Sequence, residues 1–184
     1  MFDRVLCRSY KNLKNMDLPQ RLAELIEGLQ LEPHPEGGYY KRVHYSAEQI
    51  QAEALPSRYE GSRQLYSSIY YLLGPGDFSA FHRLKSDEIW HFFEGESLAV
   101  HLISPDGNYA LKLLGKNQAK GEHFQFIIPH GTWFAAEPII STAYALIGCT
   151  VVPAFEYHDF ELASAVELET LFPQHTKLIK RLCR

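Results

Sequence analysis

The hydrophobic pattern near the N-terminus predicts one amphipathic helix over residues 17–29. Its apolar positions recur at helical spacing and trace a single face: Leu18, Leu22, Leu25, Ile26 and Leu29. Asp17 has a side chain suited to an N-cap, and Pro19 is tolerated in the first helical turn. We expect this helix to pack its apolar face against a sheet.

The pattern then changes to short apolar runs separated by turn signals, which predict β-strands. The runs are GYYKRVHY, SSIYYLL, SAFHRL, EIWHFFE, SLAVHLI, YALKLL, HFQFII, PHGTWFAA, YALIGCTVV and FEYHDF. Strands this short and closely spaced favour an antiparallel sandwich or barrel over βαβ units. Residues 46–66 predict an exposed loop or short helix, and residues 164–184 predict a helical tail interrupted at Pro173. The fold predicted is mainly β, one domain whose sandwich or barrel core spans about residues 36–160.

Composition and charge limit the kinds of partner that we expect the protein to bind. The chain has 184 residues, 46% of them hydrophobic, and a formal net charge of −4 without a basic run, which argues against nucleic acid as a partner. Cys7, Cys149 and Cys183 form no CxxC pair, so no disulfide framework is predicted. No segment has the pattern of a signal peptide or a membrane span. We therefore expect a soluble, cytoplasmic protein without a membrane partner.

The stretch GDFSAFHRLKSDEIWHFFEG, residues 76–95, carries the candidate chemistry. Its spacing is, in order, Gly76, five residues, His82, one residue, Leu84, three residues, Glu88, six residues and Gly95. This resembles the first motif of the cupin superfamily, G-x5-H-x-H-x3-4-E-x6-G, with a leucine at the second histidine position. A looser second match lies at residues 121–134, where Pro129 and Gly131 fit and Phe134 stands at the histidine position.

The phrases PHPEGGYYKR, SSIYYLL, HRLKSDEIWHFFEGE and IPHGTWFAA are similar to an uncharacterised cupin branch, related to dTDP-sugar 3,5-epimerase-like barrels. The resemblance implies a single cupin β-barrel, a double-stranded β-helix of antiparallel strands, with a helix before it and short helices after it. It also implies a homodimer and a small-molecule ligand inside the barrel.

Metal-dependent cupins hold their ion with three histidines and one glutamate, a ligand set of imidazole and carboxylate groups. Leu84 and Phe134 have no lone pairs to offer at two of those positions. His91 falls on the opposite strand face from Glu88 unless a bulge intervenes. We therefore expect no metal and no other cofactor.

His82 and Glu88, predicted on neighbouring strands that face the barrel interior, are the candidate catalytic pair, as general base with an orienting group or with an acid. The alternative is that they are idle remnants, hydrogen-bonded to each other. The candidate substrate-binding residues are Arg42, Tyr70, Trp90, His91 and Phe134. Arg42 is suited to an anion, and a tyrosine such as Tyr70 or Tyr144 is a candidate for the second proton-transfer group that an epimerase needs.

Two functions from different classes follow. The first is metal-independent epimerase or isomerase chemistry on a carbohydrate-like or nucleotide-sugar-like metabolite. The second is a non-catalytic module that binds or senses a small molecule. A metal-dependent cupin oxygenase ranks third, because two ligand positions are occupied by apolar side chains, and a barrel fold alone does not choose among these activities.

Overall fold

The computed structural model describes residues 17–184. Cys7 lies outside the described residues, and Cys149 and Cys183 are free thiols. Helix α1 (Leu18–Gly28) forms where the apolar spacing predicts it, and the Asp17 side chain accepts a hydrogen bond from the Gln20 N–H at 3.0 Å, as an N-cap does. Within residues 17–184 no helix is long and apolar enough to cross a membrane.

Fourteen strands follow α1, and three of the loops between them form short 3₁₀ turns. The strands are β1 (Glu32–Pro33), β2 (Tyr39–Tyr45), β3 (Gln49–Ile50), β4 (Arg63–Gln64), β5 (Ser67–Leu73), β6 (Ser79–Leu84), β7 (Asp87–Gly95), β8 (Leu98–Ile103), β9 (Tyr109–Leu114), β10 (Glu122–His123), β11 (Gln125–Ile128), β12 (Trp133–Pro138), β13 (Ala145–Val152) and β14 (Phe160–Leu162). Helices α2 (Ala165–Leu171) and α3 (Thr176–Leu182) end the chain, separated by a turn at Pro173.

The strands form two six-stranded sheets and one small pair, β3–β4. The first sheet has the order β1-β2-β5-β13-β7-β11, and the second has the order β10-β9-β8-β12-β6-β14. All neighbours pair antiparallel except β9 and β10. The predicted class, mainly β with antiparallel sheets and few short helices, is confirmed.

The core between the sheets takes side chains from both, including Tyr71, Trp90 and Ile147 from the first and Val100 and Phe134 from the second. Strand alternation explains the division, because every second side chain of a strand points to the same face. Phe81, next to the inward His82, points outward and packs with α2 and α3 in a separate apolar cluster.

Two predictions about the loops are partly wrong. The run FEYHDF is not one strand, because residues 157–159 form a 3₁₀ turn before β14 begins. Residues 46–66 are also more than an exposed loop, since the Arg63 side chain is only 2% exposed. Its guanidinium donates to the Asp159 carboxylate through Nε at 2.6 Å and Nη2 at 2.9 Å. It also donates to three backbone carbonyls of residues 60–62, so this loop is tied to the 157–159 turn.

Replacing Asp159 with Asn should therefore destabilise the fold strongly. The Arg63 guanidinium would stay charged and buried without its anionic partner, and the free energy of unfolding should fall by about 3–5 kcal/mol. The control is Glu161→Gln, which removes an exposed ion pair with Arg83 and should cost about 0–1 kcal/mol. Urea denaturation followed by circular dichroism measures the free energy of unfolding of both variants. Equal losses would show that the buried pair stabilises the fold no more than the exposed pair does.

Candidate active site

A tight turn over residues 34–38 inserts a carboxylate into the mouth of the barrel. The turn closes through hydrogen bonds between the backbone of His34 and both Gly37 and Gly38. Gly37 and Gly38 have positive φ angles of 117° and 67°. A Cβ atom on Gly38 would lie 2.5 Å from the Leu72 carbonyl oxygen, so a glycine is needed for this close approach to β5. Glu36, the residue before Gly37, is thereby held against the barrel wall with only 6% of its surface exposed.

Glu36 pairs with His82 inside the barrel. The Glu36 carbonyl oxygen accepts from the Ala80 N–H at 2.9 Å, which sets the turn beside β6. The Glu36 Oε2 atom then lies 3.1 Å from His82 Nε2, and Ser79 Oγ donates to Glu36 Oε1 at 3.0 Å. Both side chains are almost completely buried. We call Glu36 and His82 the dyad.

The hydrogen bonds of His82 define its tautomer. Its Nδ1 lies 2.7 Å from the Ala80 carbonyl oxygen, which can only accept, so Nδ1 carries a proton. The Nε2···Oε2 contact of the dyad then needs one further, shared proton. Burial lowers the pKa of His82 to about 4 and raises the pKa of Glu36. Both directions favour an uncharged dyad at neutral pH, with the shared proton on the Glu36 carboxyl.

Glu88 faces the dyad from the other sheet. It lies on β7, whereas His82 lies on β6 in the second sheet, so the prediction that neighbouring strands carry the pair is wrong. The two strands follow each other along the chain but lie on opposite walls. Burial is the main cause that raises the pKa of Glu88 to about 8, and Glu36 adds to the shift when it is ionised, so the Glu88 carboxyl holds its proton at neutral pH. Within residues 17–184, no hydrogen-bond partner contacts its Oε2 atom.

One cavity of about 320 Å³ contains all of these groups. Glu36, His34, His82 and Glu88 form its floor, together with the buried Cys149 thiol, whose pKa is raised by burial. The aliphatic and aromatic side chains of Ile69, Leu84, Val151, Phe155 and Phe160 form its walls. Such a volume lies at the lower end of the range for small-molecule sites, and its apolar walls with few polar groups are typical of them.

The predicted substrate-binding residues divide into three groups. Arg42 lines the cavity at its rim. Trp90 and Phe134 pack edge to face beneath it, with ring centroids 5.8 Å apart, and belong to the core between the sheets. Tyr70 and His91 are not among the lining residues, because strand alternation places them on the outer face of the first sheet. The prediction that they contact a ligand in the cavity is therefore not supported by their position.

Neither Tyr70 nor Tyr144, the two candidates for a second proton-transfer group, lines the cavity. The Tyr144 hydroxyl donates to Glu94 on the far side of the first sheet, near Arg21 of α1. Glu88 itself occupies the position opposite the dyad. The predicted alternative, a direct hydrogen bond between His82 and Glu88, is not formed, because His82 contacts Ala80 and Glu36 instead.

Sequence reasoning missed Glu36 and gave His34 only the role of a turn residue. His34 does belong to the turn, yet its ring also lines the cavity and lies edge-on to Tyr40, with centroids 4.7 Å apart. A signal for Glu36 was present, since PHPEGG contains a carboxylate directly before two glycines and such a turn does not itself need an acidic residue. The contact of Glu36 with His82 on β6 could not be predicted, because it depends on how the turn folds.

The residues present do not fit the metal that the cupin motif implies. Leu84 and Phe134, 6% and 1% exposed, fill two ligand positions with hydrocarbon. His91 faces outward, and His130 is exposed and lies 2.9 Å from Asp87. In the described part of the chain, no three His, Cys, Asp or Glu side chains are grouped as metal ligands. No step of the proposed chemistry is therefore routed through a metal.

Elemental analysis tests this interpretation. Because apolar side chains replace two ligand positions, the dialysed protein should contain far less than one equivalent of Fe, Mn, Ni or Zn per chain. The control is the same preparation loaded with Mn²⁺ and dialysed again, which should return to the same low content. About one tightly retained ion per chain in either sample would contradict the interpretation.

The raised pKa of Glu88 predicts a pH-dependent stability. Between the ordinary carboxyl pKa and about 8, the folded protein retains a proton that the unfolded chain has lost. The free energy of unfolding must therefore decrease as the pH rises through this window. From about pH 7 to pH 8 the unmodified protein should lose about 1 kcal/mol more than the Glu88→Gln variant.

The control for this measurement is Glu53→Gln, which changes an exposed carboxylate. It should retain the pH dependence of the unmodified protein. Urea denaturation at each pH and constant ionic strength gives the free energies. A Glu88→Gln variant with an unchanged slope would mean that Glu88 is ionised in the folded state.

Comparison with known proteins gives the family. Residues 23–163 match a family model described as "Cupin superfamily (DUF985)". An uncharacterised protein of Saccharomyces cerevisiae is 29% identical over 150 residues, which cover 77% of this chain and 74% of the yeast protein. A solved structure from Shewanella oneidensis is 40% identical, with a TM-score of 0.78, and the match covers 88% of this chain and 96% of that one.

A second solved structure is similar in sequence and in fold, and a more distant one shares the fold alone. A hypothetical protein from Leishmania major is 34% identical, with a TM-score of 0.78 and a coverage of 88% of this chain and 97% of that one. Oxalate decarboxylase from Bacillus subtilis is 15% identical, with a TM-score of 0.50 over 82% of this chain and 36% of that chain. Since the family match spans most of its length, this chain belongs to the cupin superfamily, in the family DUF985.

Proposed function

We propose that the protein is a metal-independent isomerase or epimerase that acts by acid/base chemistry on a small carbohydrate-like metabolite. The observation that carries this proposal is the placement of two proton-exchanging groups on opposite sides of the floor of one cavity. The dyad lies on the side of the second sheet, and Glu88, whose Oε2 atom has no hydrogen-bond partner among the described residues, lies on the side of the first. Epimerisation requires that a proton leave one face of a carbon and arrive at the opposite face.

The proposed step balances its protons. Glu36 passes the shared proton to His82 Nε2 and takes up a proton from a carbon adjacent to a carbonyl group, so the dyad becomes positively charged. Glu88 gives its proton to the opposite face of the same carbon, for epimerisation, or to the carbonyl oxygen, for isomerisation through an enol, and becomes a carboxylate. After epimerisation and product release, the dyad loses its extra proton to solvent and Glu88 regains one from solvent. In isomerisation, the dyad instead gives its proton to the former carbonyl carbon, and Glu88 takes the proton of the adjacent hydroxyl group, which becomes the new carbonyl.

The environment supports this assignment of roles. A general acid works best when its pKa lies near the working pH, and the pKa of Glu88 is raised to about 8 by burial. The apolar walls and the burial of the floor give a low local polarity, which strengthens the attraction between the charges formed during transfer. The resemblance of the sequence motifs to dTDP-sugar epimerase-like barrels supports the proposed reaction type. The volume of about 320 Å³ favours a sugar-sized group in the enclosed part of the cavity, with any nucleotide outside it.

The competing proposal is a non-catalytic module that binds or senses the same kind of molecule. It differs in one measurable respect, because a binding module raises the melting temperature with ligand but exchanges no carbon-bound proton. The homodimer implied by the family resemblance and the cytoplasmic location stay predictions.

Proton exchange with solvent separates the two proposals. A thermal-shift screen of aldoses, ketoses and their acids and phosphates first selects ligands. Each ligand is then incubated with the protein in D₂O and followed by ¹H NMR. The unmodified protein should replace one proton beside the carbonyl group with deuterium. His82→Gln, Glu36→Gln and Glu88→Gln should each slow this exchange by about 10²–10⁴-fold.

The matched control is His123→Gln, at an exposed histidine of β10, which should exchange at the unmodified rate. Circular dichroism verifies that each variant is folded, since an unpaired Glu36 carboxyl can cost about 1–3 kcal/mol of stability. Ligands that stabilise the protein without any exchange would refute the catalytic proposal in favour of the binding module.

A further inference from the structure

Among the described residues, Arg42 has no hydrogen-bond or ion-pair partner for its guanidinium, which lies at the rim of the cavity. In the described part of the chain, six arginines donate to a carboxylate or a backbone carbonyl: Arg21, Arg58, Arg63, Arg83, Arg181 and Arg184. Arg42 is the seventh, and no described residue accepts a hydrogen bond from its guanidinium or lies in an ion pair with it. A guanidinium offers five N–H donors in a planar fork that matches a carboxylate or a phosphate.

A β-bulge after Arg42 places an aromatic ring beside this cation, on the face of β2 that lines the cavity. Arg42 pairs with Ile69 and His44 pairs with Ser68, so Val43 is the extra residue on β2. Because of this bulge, Tyr45 returns to the same face as Arg42 and pairs with Ser67, which lines the cavity. The Arg42 guanidinium lies over the Tyr45 ring, 4.8 Å from its centroid. This cation–π contact orients the side chain without using its N–H donors.

The charges of the lining residues favour an anion at the rim. Arg42 supplies the positive charge there and forms no ion pair with Glu32, the carboxylate among the rim residues, whereas Lys41 pairs with Tyr70 on the outer face. The floor adds no negative charge at neutral pH, because the dyad is uncharged and the pKa of Glu88 is raised to about 8. The phenol of Tyr40 also stays protonated, since a hydrogen bond with Tyr157 raises its pKa to about 12.

We propose that the cavity takes a small anionic carbohydrate-like substrate, with its carboxylate or phosphate group on the Arg42 guanidinium. This inference rests on the function proposed above and names its substrate class. Arg42 binds the anionic group at the rim. The uncharged carbon skeleton then extends toward the floor, between the dyad and Glu88. An anion at the rim thus positions the reacting carbon where the two proton-exchanging groups face each other.

Matched ligands test the inference directly. The probes are D-glucose, D-glucuronate and D-glucose 6-phosphate, which share a ring and differ in charge. Titrations monitored by ¹⁵N NMR should give at least about tenfold tighter binding of one or both anions than of glucose. Preference for glucuronate alone indicates a carboxylate substrate, and preference for the phosphate alone indicates a phosphate ester. The preference should weaken as salt is added, since the site is partly exposed.

Variants assign the preference to Arg42. Arg42→Gln should abolish it, and Arg42→Lys should retain part of it, because lysine keeps the charge but lacks the planar fork. Lys116→Gln removes one positive charge from an exposed loop and should leave the preference unchanged. Equal binding of the three probes, binding of neither anion below about 10 mM, or a preference that persists in Arg42→Gln would overturn the inference.

The outcome is separable from the test of catalysis. Glu88→Gln should keep the preference for anions, because it leaves the rim intact. A preserved preference without proton exchange would refute the proposed reaction and leave the anion site standing. Proton exchange on uncharged sugars with no anion preference would support the proposed reaction and refute the anion site.

Discussion

The contact between Glu36 and His82 is the constraint on which the rest of this site depends. It joins a glycine-rich turn to a strand of the second sheet and places two ionisable groups 3.1 Å apart in a nearly water-free interior. Burying an isolated charge is expensive, so both groups are more stable in their neutral forms. A single shared proton satisfies the contact without a buried charge. The dyad can therefore be buried in the folded protein while remaining able to exchange a proton.

The two apolar replacements in the cupin motif also favour the neutral forms of His82 and Glu88. Leu84 and Phe134 remove lone pairs from the positions where metal ligands would converge, and they also add hydrocarbon around His82 and Glu88. The His82 and Phe134 ring centroids are 3.9 Å apart. A low local polarity lowers the pKa of an imidazole and raises that of a carboxyl group. The substitutions that remove a metal site thus produce the shifted pKa values that acid/base chemistry uses.

The cavity is electrically asymmetric as a result. Its floor is neutral and carries exchangeable protons, whereas its rim carries the Arg42 guanidinium with its N–H donors free among the described residues. In the function proposed above, this arrangement separates binding from chemistry, since an anionic group can be held at the rim without changing the protonation of the floor.

The sequence by itself determined the local elements and the identity of half the site. Apolar spacing defined α1, and short apolar runs defined most of the strands. The motif spacing selected His82 and Glu88. Periodicity and side-chain alternation are local properties of the chain. Tertiary structure decided the rest. Consecutive strands entered opposite sheets, a turn placed Glu36 against β6, and a one-residue bulge returned Tyr45 to the face of Arg42. Each of these depends on contacts between residues distant along the chain, which no local pattern encodes.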